Sequence, residues 1–351
     1  MRVVVTGASG NVGTSVLEAL AADEPVEEIV GIARRLPDHP MEKVRWVAAD
    51  VTTEDLTKLF DGAGAVIHLA WAIQPSHDEA TMERTNVEGS RRVFTAVAAA
   101  GVPALVYASS VGAYSPGPKD ERVDETWPVG GIPTSAYSRH KASVEALLDE
   151  TERANQALRV VRLRPGLIFK SESASEIRRL FLGPLVPRSL VRPGLIPFVP
   201  RVSRLVFQAV HSRDVGEAYR LAVTGNAAGA FNIAAEPVIG PPELAKLMRA
   251  REVPVSARIL RAAADLTWRA HLQPADAGWI DLALQVPTMD VSRARRELGW
   301  SPEYESLDAL AELLNGLREG RDFPTPPLAA GTGGPARLGE LATGIGAVRD
   351  S

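Results

Sequence analysis

The first half of the chain alternates short apolar runs with longer segments of helical period. Arg2 to Thr6, Glu28 to Ala33, Val44 to Ala49, Ala65 to Leu69, Ala104 to Ala108 and Arg159 to Arg164 are rich in Val, Ile or Leu. Each is closed by polar or turn residues and reads as a strand. Their near-continuous apolar character predicts burial on both faces. Helices are expected from the turn after Thr6 to about Ala22, and over about 53–60, 78–100 and 134–155. Strands alternating with helices predict βαβ units and a parallel sheet.

The pattern loosens after Pro165. Residues 177–213 hold no Asp or Glu, yet carry Arg178, Arg179, Arg188, Arg192, Arg201, Arg204 and Arg213, with five prolines between Pro184 and Pro200. This predicts an irregular, partly exposed segment. Helical patterns resume at about 212–224, 241–251, 256–285 and 305–318. From about Asp322 the chain is rich in Pro, Gly, Ala and Thr, and residues 322–351 read as a disordered tail.

At 351 residues and 45% hydrophobic, the chain can bury a large core. A net charge of -4 gives no sign of a nucleic-acid partner. The absence of cysteine excludes disulfides, thiol nucleophiles and Cys-ligated zinc, and no metal site is expected. No apolar run is long enough to span a bilayer and no signal peptide is evident, so a cytoplasmic protein without a membrane partner is expected.

Thr6-Gly7-Ala8-Ser9-Gly10-Asn11-Val12-Gly13 lies between the first strand and the first helix. A dinucleotide site needs this arrangement: Gly7 for a tight turn, Gly10 for backbone approach to the pyrophosphate, Gly13 for helix–strand packing. Ser9, Asn11 and Val12 complete the loop and the helix start, whose free N–H groups attract phosphate. An acidic residue usually follows about twenty residues on to bind the ribose of NAD. Here the second strand ends in Ala33-Arg34-Arg35. Two guanidiniums suit a 2′-phosphate, which favours NADP(H) over NAD(H). Asp50-Val51 closes the third strand, where a carboxylate can accept from the adenine amino group.

Tyr137 and Lys141 are four apart in a predicted helix and share one face. A free tyrosine titrates near ~10, and a nearby ammonium favours its phenolate. Tyr137 can then act as acid in carbonyl reduction or base in alcohol oxidation, with Lys141 on the nicotinamide ribose. Ser109-Ser110 ends the fifth strand, at the carboxyl edge where open parallel sheets bind ligands.

Together these residues resemble the extended short-chain dehydrogenase/reductase family, the NAD(P)-dependent epimerase/dehydratase group. The resemblance runs from residue 1 to about 300. It includes the glycine turn, Asp50-Val51, His68-Leu69-Ala70, Asn86-Val87-Glu88-Gly89-Ser90, Ser109-Ser110, Tyr137 with Lys141, and Arg164-Pro165-Gly166. His211-Ser212-Arg213-Asp214-Val215, Phe231-Asn232-Ile233 and Leu298-Gly299-Trp300-Ser301-Pro302 follow in order. It implies an α/β fold: a doubly wound parallel Rossmann sheet with a smaller C-terminal substrate-binding lobe. The dinucleotide domain would comprise 1–165 plus 211–235, and the substrate lobe 166–210 plus 236–321. The resemblance implies Ser110 rather than Ser109 as the catalytic serine, and Leu69, Ala70 and Pro165 at the nicotinamide. It also implies a homodimer through the helices near 78–100 and 134–155.

Val111-Gly112 stands where the family's dehydratases carry an Asp-Glu pair, which disfavours dehydration. Three functions stay open. One is an NAD(P)(H)-dependent reductase or dehydrogenase acting on a small-molecule carbonyl or secondary alcohol. Another is a nucleotide-sugar epimerase with retained NAD, whose diphosphate the arginines of 177–213 would clamp. The third is a non-catalytic NADP-binding regulator, which has no need of a phenolate base. The interspersed Leu, Val and Phe of 177–213 suit an apolar substrate equally well. His140 is read as structural, and Trp268, Trp279 and Trp300 as core.

Overall fold

Successive side chains of an apolar strand go to opposite layers. In β1 (Arg2–Thr6), Val3 and Val5 join the core on one side of the sheet and Val4 the core on the other, all fully buried. Polar alternation is absent because both faces are covered. In the computed structural model, which describes residues 1–74, 76–182 and 194–331, β1 lies within a seven-stranded sheet. Its neighbours are β2 (Glu28–Ala33), β3 (Val44–Ala48), β4 (Ala65–His68), β5 (Ala104–Ala108), β7 (Arg159–Pro165) and β11 (Gly229–Ile233). The order is β3-β2-β1-β4-β5-β7-β11, and every pairing is parallel. This is the doubly wound α/β architecture, and its order reverses between β1 and β4, where ligand crevices form.

One face is covered by α1 (Asn11–Ala21) and α7 (Ser212–Thr224). The other is covered by α2 (Leu56–Phe60), α4 (Gly89–Ala99) and α5 (Ala136–Ala154). Helix α3 (Glu79–Glu83) runs into α4 through a π turn at Arg84–Glu88. Buried His68 ties these parts together: Nδ1 pairs with the Thr6 hydroxyl at 2.7 Å and Nε2 with Ser90 Oγ at 2.9 Å. Burial, with Lys141 nearby, lowers its pKa to about 3, so it serves as a neutral bridge.

The remaining elements form the smaller lobe and its links to the sheet. Short parallel pairs join β8 (Leu167–Phe169) to β10 (Ala209–His211), β9 (Phe198–Arg201) to β12 (Arg251–Pro254), and β6 (Arg122–Val123) to β13 (Thr288–Met289). Around them lie α6 (Ala174–Ile177), α8 (Pro241–Met248), α9 (Ala257–Arg269), α10 (Ala277–Gln285) and α11 (Ser306–Glu319). The helix expected over 256–285 is two, because the chain turns at His271 with φ +54° and passes Pro274. The helix expected over 241–251 ends at Met248, where Arg249 adopts a left-handed conformation before β12.

The disordered tail expected from Asp322 is corrected for its first ten residues. Thr325 and Leu328 are buried, and the Thr325 hydroxyl donates to the Ser9 carbonyl at 2.7 Å. Composition alone misreads this stretch, because its order comes from a surface supplied by distant parts of the chain. Residues 332–351 lie outside the described residues.

Buried Trp300 fastens the C-terminal segment to α7. Its Nε1 donates to the Asp214 carbonyl at 2.7 Å, while the Asp214 carboxylate accepts the N–H groups of Glu303 and Tyr304. Trp300→Ala removes a large core side chain and its hydrogen bond to that carbonyl. It should lower stability by about 3–5 kcal/mol, read as an earlier urea midpoint at unchanged slope.

Candidate active site

Gly7 has φ +71°, and a Cβ there would lie 2.6 Å from the Ala70 nitrogen. The turn therefore lies directly against Leu69–Ala70 at the end of β4. A Cβ on Gly13 would sit 2.4 Å from the Ala8 carbonyl, so α1 can approach the turn only without one. At Gly10 the nearest such contact is 3.6 Å, so a side chain there would fill an open cradle instead of striking the protein. The first-turn N–H groups of Asn11, Val12 and Gly13 have no partner within the helix, and the helix dipole adds positive potential. These features fit the pyrophosphate of a dinucleotide.

The chain brings its own anion to the same place. The Glu176 carboxyl, on α6, faces the Asn11 N–H with Arg179 and Lys170 beside it, and burial pushes its pKa up to about 7. Lys170 Nζ donates to Thr14 Oγ1 at 2.6 Å and Ser15 Oγ at 3.1 Å. Arg179 donates to the Pro327 carbonyl, which joins α6 to the segment carrying Thr325. Glu176 lies one residue before the acid-free stretch, and sequence reading passed over it.

Arg34 and Arg35 are exposed just past β2. Asp50 Oδ1 accepts from the Thr52 N–H at 2.8 Å and the Thr52 hydroxyl at 2.7 Å, a local turn, and Val51 is buried beside it. Pro165 ends β7, and Leu69 and Ala70 follow β4, all at the carboxyl edge of the sheet.

Helix α5 carries Tyr137 and Lys141 to that edge. Ser110 heads a short 3-10 turn, with its hydroxyl accepting the Gly112 N–H at 3.0 Å. The Tyr137 ring lies over Gly112, where a Cβ would be 2.8 Å from the ring edge. Burial raises the Tyr137 pKa to about 12, against a smaller lowering by the Ser110 hydroxyl. The expected acidifying ammonium is engaged elsewhere. Lys141 Nζ donates to the Ala108 carbonyl at 2.6 Å and sits 3.5 Å from the centre of the Trp71 ring. Its own pKa is pushed well below the usual lysine range by burial. In this state Tyr137 keeps its proton.

One turn beyond Lys141, buried Glu145 gathers a charged network. Its Oε1 accepts from Arg164 Nε at 2.8 Å and from the Ser109 hydroxyl at 2.5 Å, and its Oε2 accepts from Arg162 Nη1 at 3.0 Å. Burial opposes its charge, but the two arginines and Ser109 hold its pKa below the ordinary carboxylate range. Arg164 also donates to the Tyr114 hydroxyl at 3.0 Å, and that hydroxyl donates to Asn232 at 2.7 Å. Ser109 is thus turned inward, and Ser110 is left beside the phenol.

Trp279 departs from its core reading: its ring is 5.0 Å from that of Tyr137, with Phe181 at 4.9 Å on its other side. Trp71, missed in the sequence, meets Tyr137 edge-on at 5.9 Å. Its loop is held by Asn86, which exchanges two hydrogen bonds with the Ala72 backbone. His140 is buried, and it lines a small pocket with Tyr137, Ile73, Asn86 and Trp279. Two of the arginines of 177–213 are engaged away from that pocket. Arg204 serves the carbonyls of Gly117 and Leu284, and Arg213 reaches the Tyr304 hydroxyl. Arg188 and Arg192 lie outside the described residues.

Comparison with known proteins bears on the fold and the family. An uncharacterised protein of Mycobacterium tuberculosis is 27% identical over 91% of this chain, which spans 30% of that protein's length. A 4-hydroxy-2-methyl-3-oxo-4-farnesyl-3,4-dihydroquinoline-1-oxide ketoreductase of Stigmatella aurantiaca is 26% identical over 89% of this chain and 96% of its own. Among solved structures, a UDP-glucose 4-epimerase from Thermotoga maritima superposes with a TM-score of 0.68 at 19% identity, covering 91% of this chain and 99% of the epimerase. That likeness is one of fold. Residues 3–234 match the model of the NAD dependent epimerase/dehydratase family, and to that family of NAD(P)-dependent enzymes the chain belongs.

Proposed function

We propose that the chain is an NADP(H)-preferring reductase or dehydrogenase acting on the carbonyl or secondary alcohol of a largely apolar substrate. The observation that carries this reading is the apolar wall around Tyr137: Trp71, Trp279, Phe181 and buried Ile132. A sugar diphosphate would need cations. The farnesyl-bearing name of the Stigmatella relative supports the same class of substrate.

When bound, the nicotinamide supplies or takes the hydride. Gly7, Ser9, Gly10, Asn11, Val12 and Gly13 hold the dinucleotide's phosphates, and Arg34 and Arg35 its 2′-phosphate. Asp50 and Val51 meet the adenine, while Leu69, Ala70 and Pro165 flank the nicotinamide. The Ser110 hydroxyl donates to the substrate oxygen and orients it. Tyr137, kept neutral by burial, protonates that oxygen as the carbonyl is reduced. Lys141 would hold the ribose hydroxyls, and its charge there would ease loss of the phenolic proton in the oxidative direction. The indoles keep water from the reacting carbon.

Calorimetry on cofactor-free protein should show tighter binding of NADP+ than NAD+. Arg34→Ala with Arg35→Ala should weaken NADP+ by roughly 10- to 100-fold and leave NAD+ nearly unchanged. Tightly retained NAD in the purified protein would instead move the epimerase to first place. Tyr137→Phe should cut kcat by about 10²–10⁴ with cofactor affinity kept, measured by nicotinamide absorbance with a panel of ketones. A protein that never turns over, with or without that change, would be a regulator.

Glu176 gives a pH dependence whose sign follows from its charge. Above about pH 7 its carboxylate is ionised and opposes the incoming phosphates; below that it is neutral. Cofactor binding should therefore tighten as pH falls through about 7, and Glu176→Gln should flatten that dependence. Unchanged pH behaviour in this variant would remove Glu176 from the binding site.

A further inference from the structure

Apolar side chains exposed singly need no explanation, but a cluster does. Seven of the nine large hydrophobic residues exposed among the described residues fall between Leu195 and Leu272. Leu195, Ile196 and Phe198 lead into and lie on β9, Val253 lies on β12, and β12 runs through Val255 and Ser256 into α9. No side chain of α9 is fully buried. Its inner side leans on the lobe through Trp268, which donates to Ser76 Oγ at 3.0 Å, and through Arg261, paired with Asp281 of α10. Its outer side presents Ile259, 65% exposed, and Leu266, 69% exposed, seven residues apart on one stripe with Ala262 and Ala263. Arg258 and Arg269 lie along one edge of that stripe, Arg269 paired with Asp265.

We propose that α9 and the adjoining β9–β12 ribbon dock on the surface of a bilayer containing anionic phospholipid. An amphipathic helix with an outward apolar stripe and a basic edge lies in the plane of such a surface. At thirteen residues α9 cannot cross it, and no described helix is long and apolar enough to do so. The sequence reading expected no membrane partner, and the proposed attachment departs from that expectation. Basic charge prevails. Arg201, Arg249, Arg251 and Arg258 are exposed and form no ion pair among the described residues, against exposed Glu252 and against Asp265, which pairs with Arg269. Anionic headgroups complement this surface. A second copy fits it less well, because a two-fold contact would set these arginines against themselves. The surface lies one helix away from Trp279 and the phenol, since α9 leans on α10. The proposal stands independently of the redox reading.

The test is co-sedimentation of the full chain with phosphatidylcholine vesicles, with and without phosphatidylglycerol, at low and high salt. The expected result is binding that needs phosphatidylglycerol and weakens with salt. It should fall on the order of tenfold or more in Ile259→Asp with Leu266→Asp. Both positions are exposed, so the variant should keep its melting temperature and cofactor affinity, which separates lost docking from lost folding. Absent binding to either vesicle, or binding indifferent to the double variant, would overturn the proposal. So would a dimer, seen by sedimentation velocity, that the same variant dissolves, since the occupant would then be a second copy.

Discussion

The buried carboxylate of Glu145 is the constraint around which the reacting edge is built. Arg164 of β7 would be untenable between packed layers without it, and it would be untenable without the arginines; Arg162 is also met by Asp149 and Glu152. Their mutual dependence fixes three separate stretches in one register: the strand bearing Arg162 and Arg164, the helix bearing Tyr137 and Lys141, and the turn bearing Ser109 and Ser110. Removing one partner leaves an uncompensated charge in the interior. The network therefore specifies position more than it adds stability, and the serine–tyrosine geometry inherits that precision.

A different kind of order governs the glycine turn. There the backbone approaches so closely that side chains are excluded at Gly7 and Gly13, and what results is an array of unpaired donors. Such an array attracts any anion. In the ligand-free chain the attraction is met internally, by a carboxyl whose own ionisation is made costly by burial. At the other end of the cleft Lys141 behaves alike and rests on an indole face until a better partner arrives. Both ends of the cleft thus have their polar groups met within the chain.

Six of the seven strands were legible as apolar runs, the inner ones because they are buried on both sides; β11, at one edge, was not read as a strand. The glycine turn, Ser110, Tyr137 and Lys141 were legible as candidates because their spacing relative to those strands is local. Glu145 was not, although Arg162 and Arg164 within an otherwise apolar strand demand a buried counter-charge. Their partner lies on a helix, and nothing in linear spacing says which acid it is. Trp71 could have been suspected from its place directly after His68-Leu69-Ala70. Trp279 could not, since only the fold of the second lobe carries it to the phenol. The stretch after Asp322 misled for the reverse reason: its composition describes a chain with nothing to bury, while the surface that orders it is made by other residues.

That last contact joins Ser9 to Thr325, 316 positions apart. Contacts of such separation form late, because the intervening chain must be organised first. During synthesis the nascent dinucleotide domain would therefore stand with its glycine turn uncovered for most of the time the chain is being made. Cofactor available at that stage would meet a more accessible turn than cofactor arriving after release. The finished enzyme could then be harder to load than the growing one.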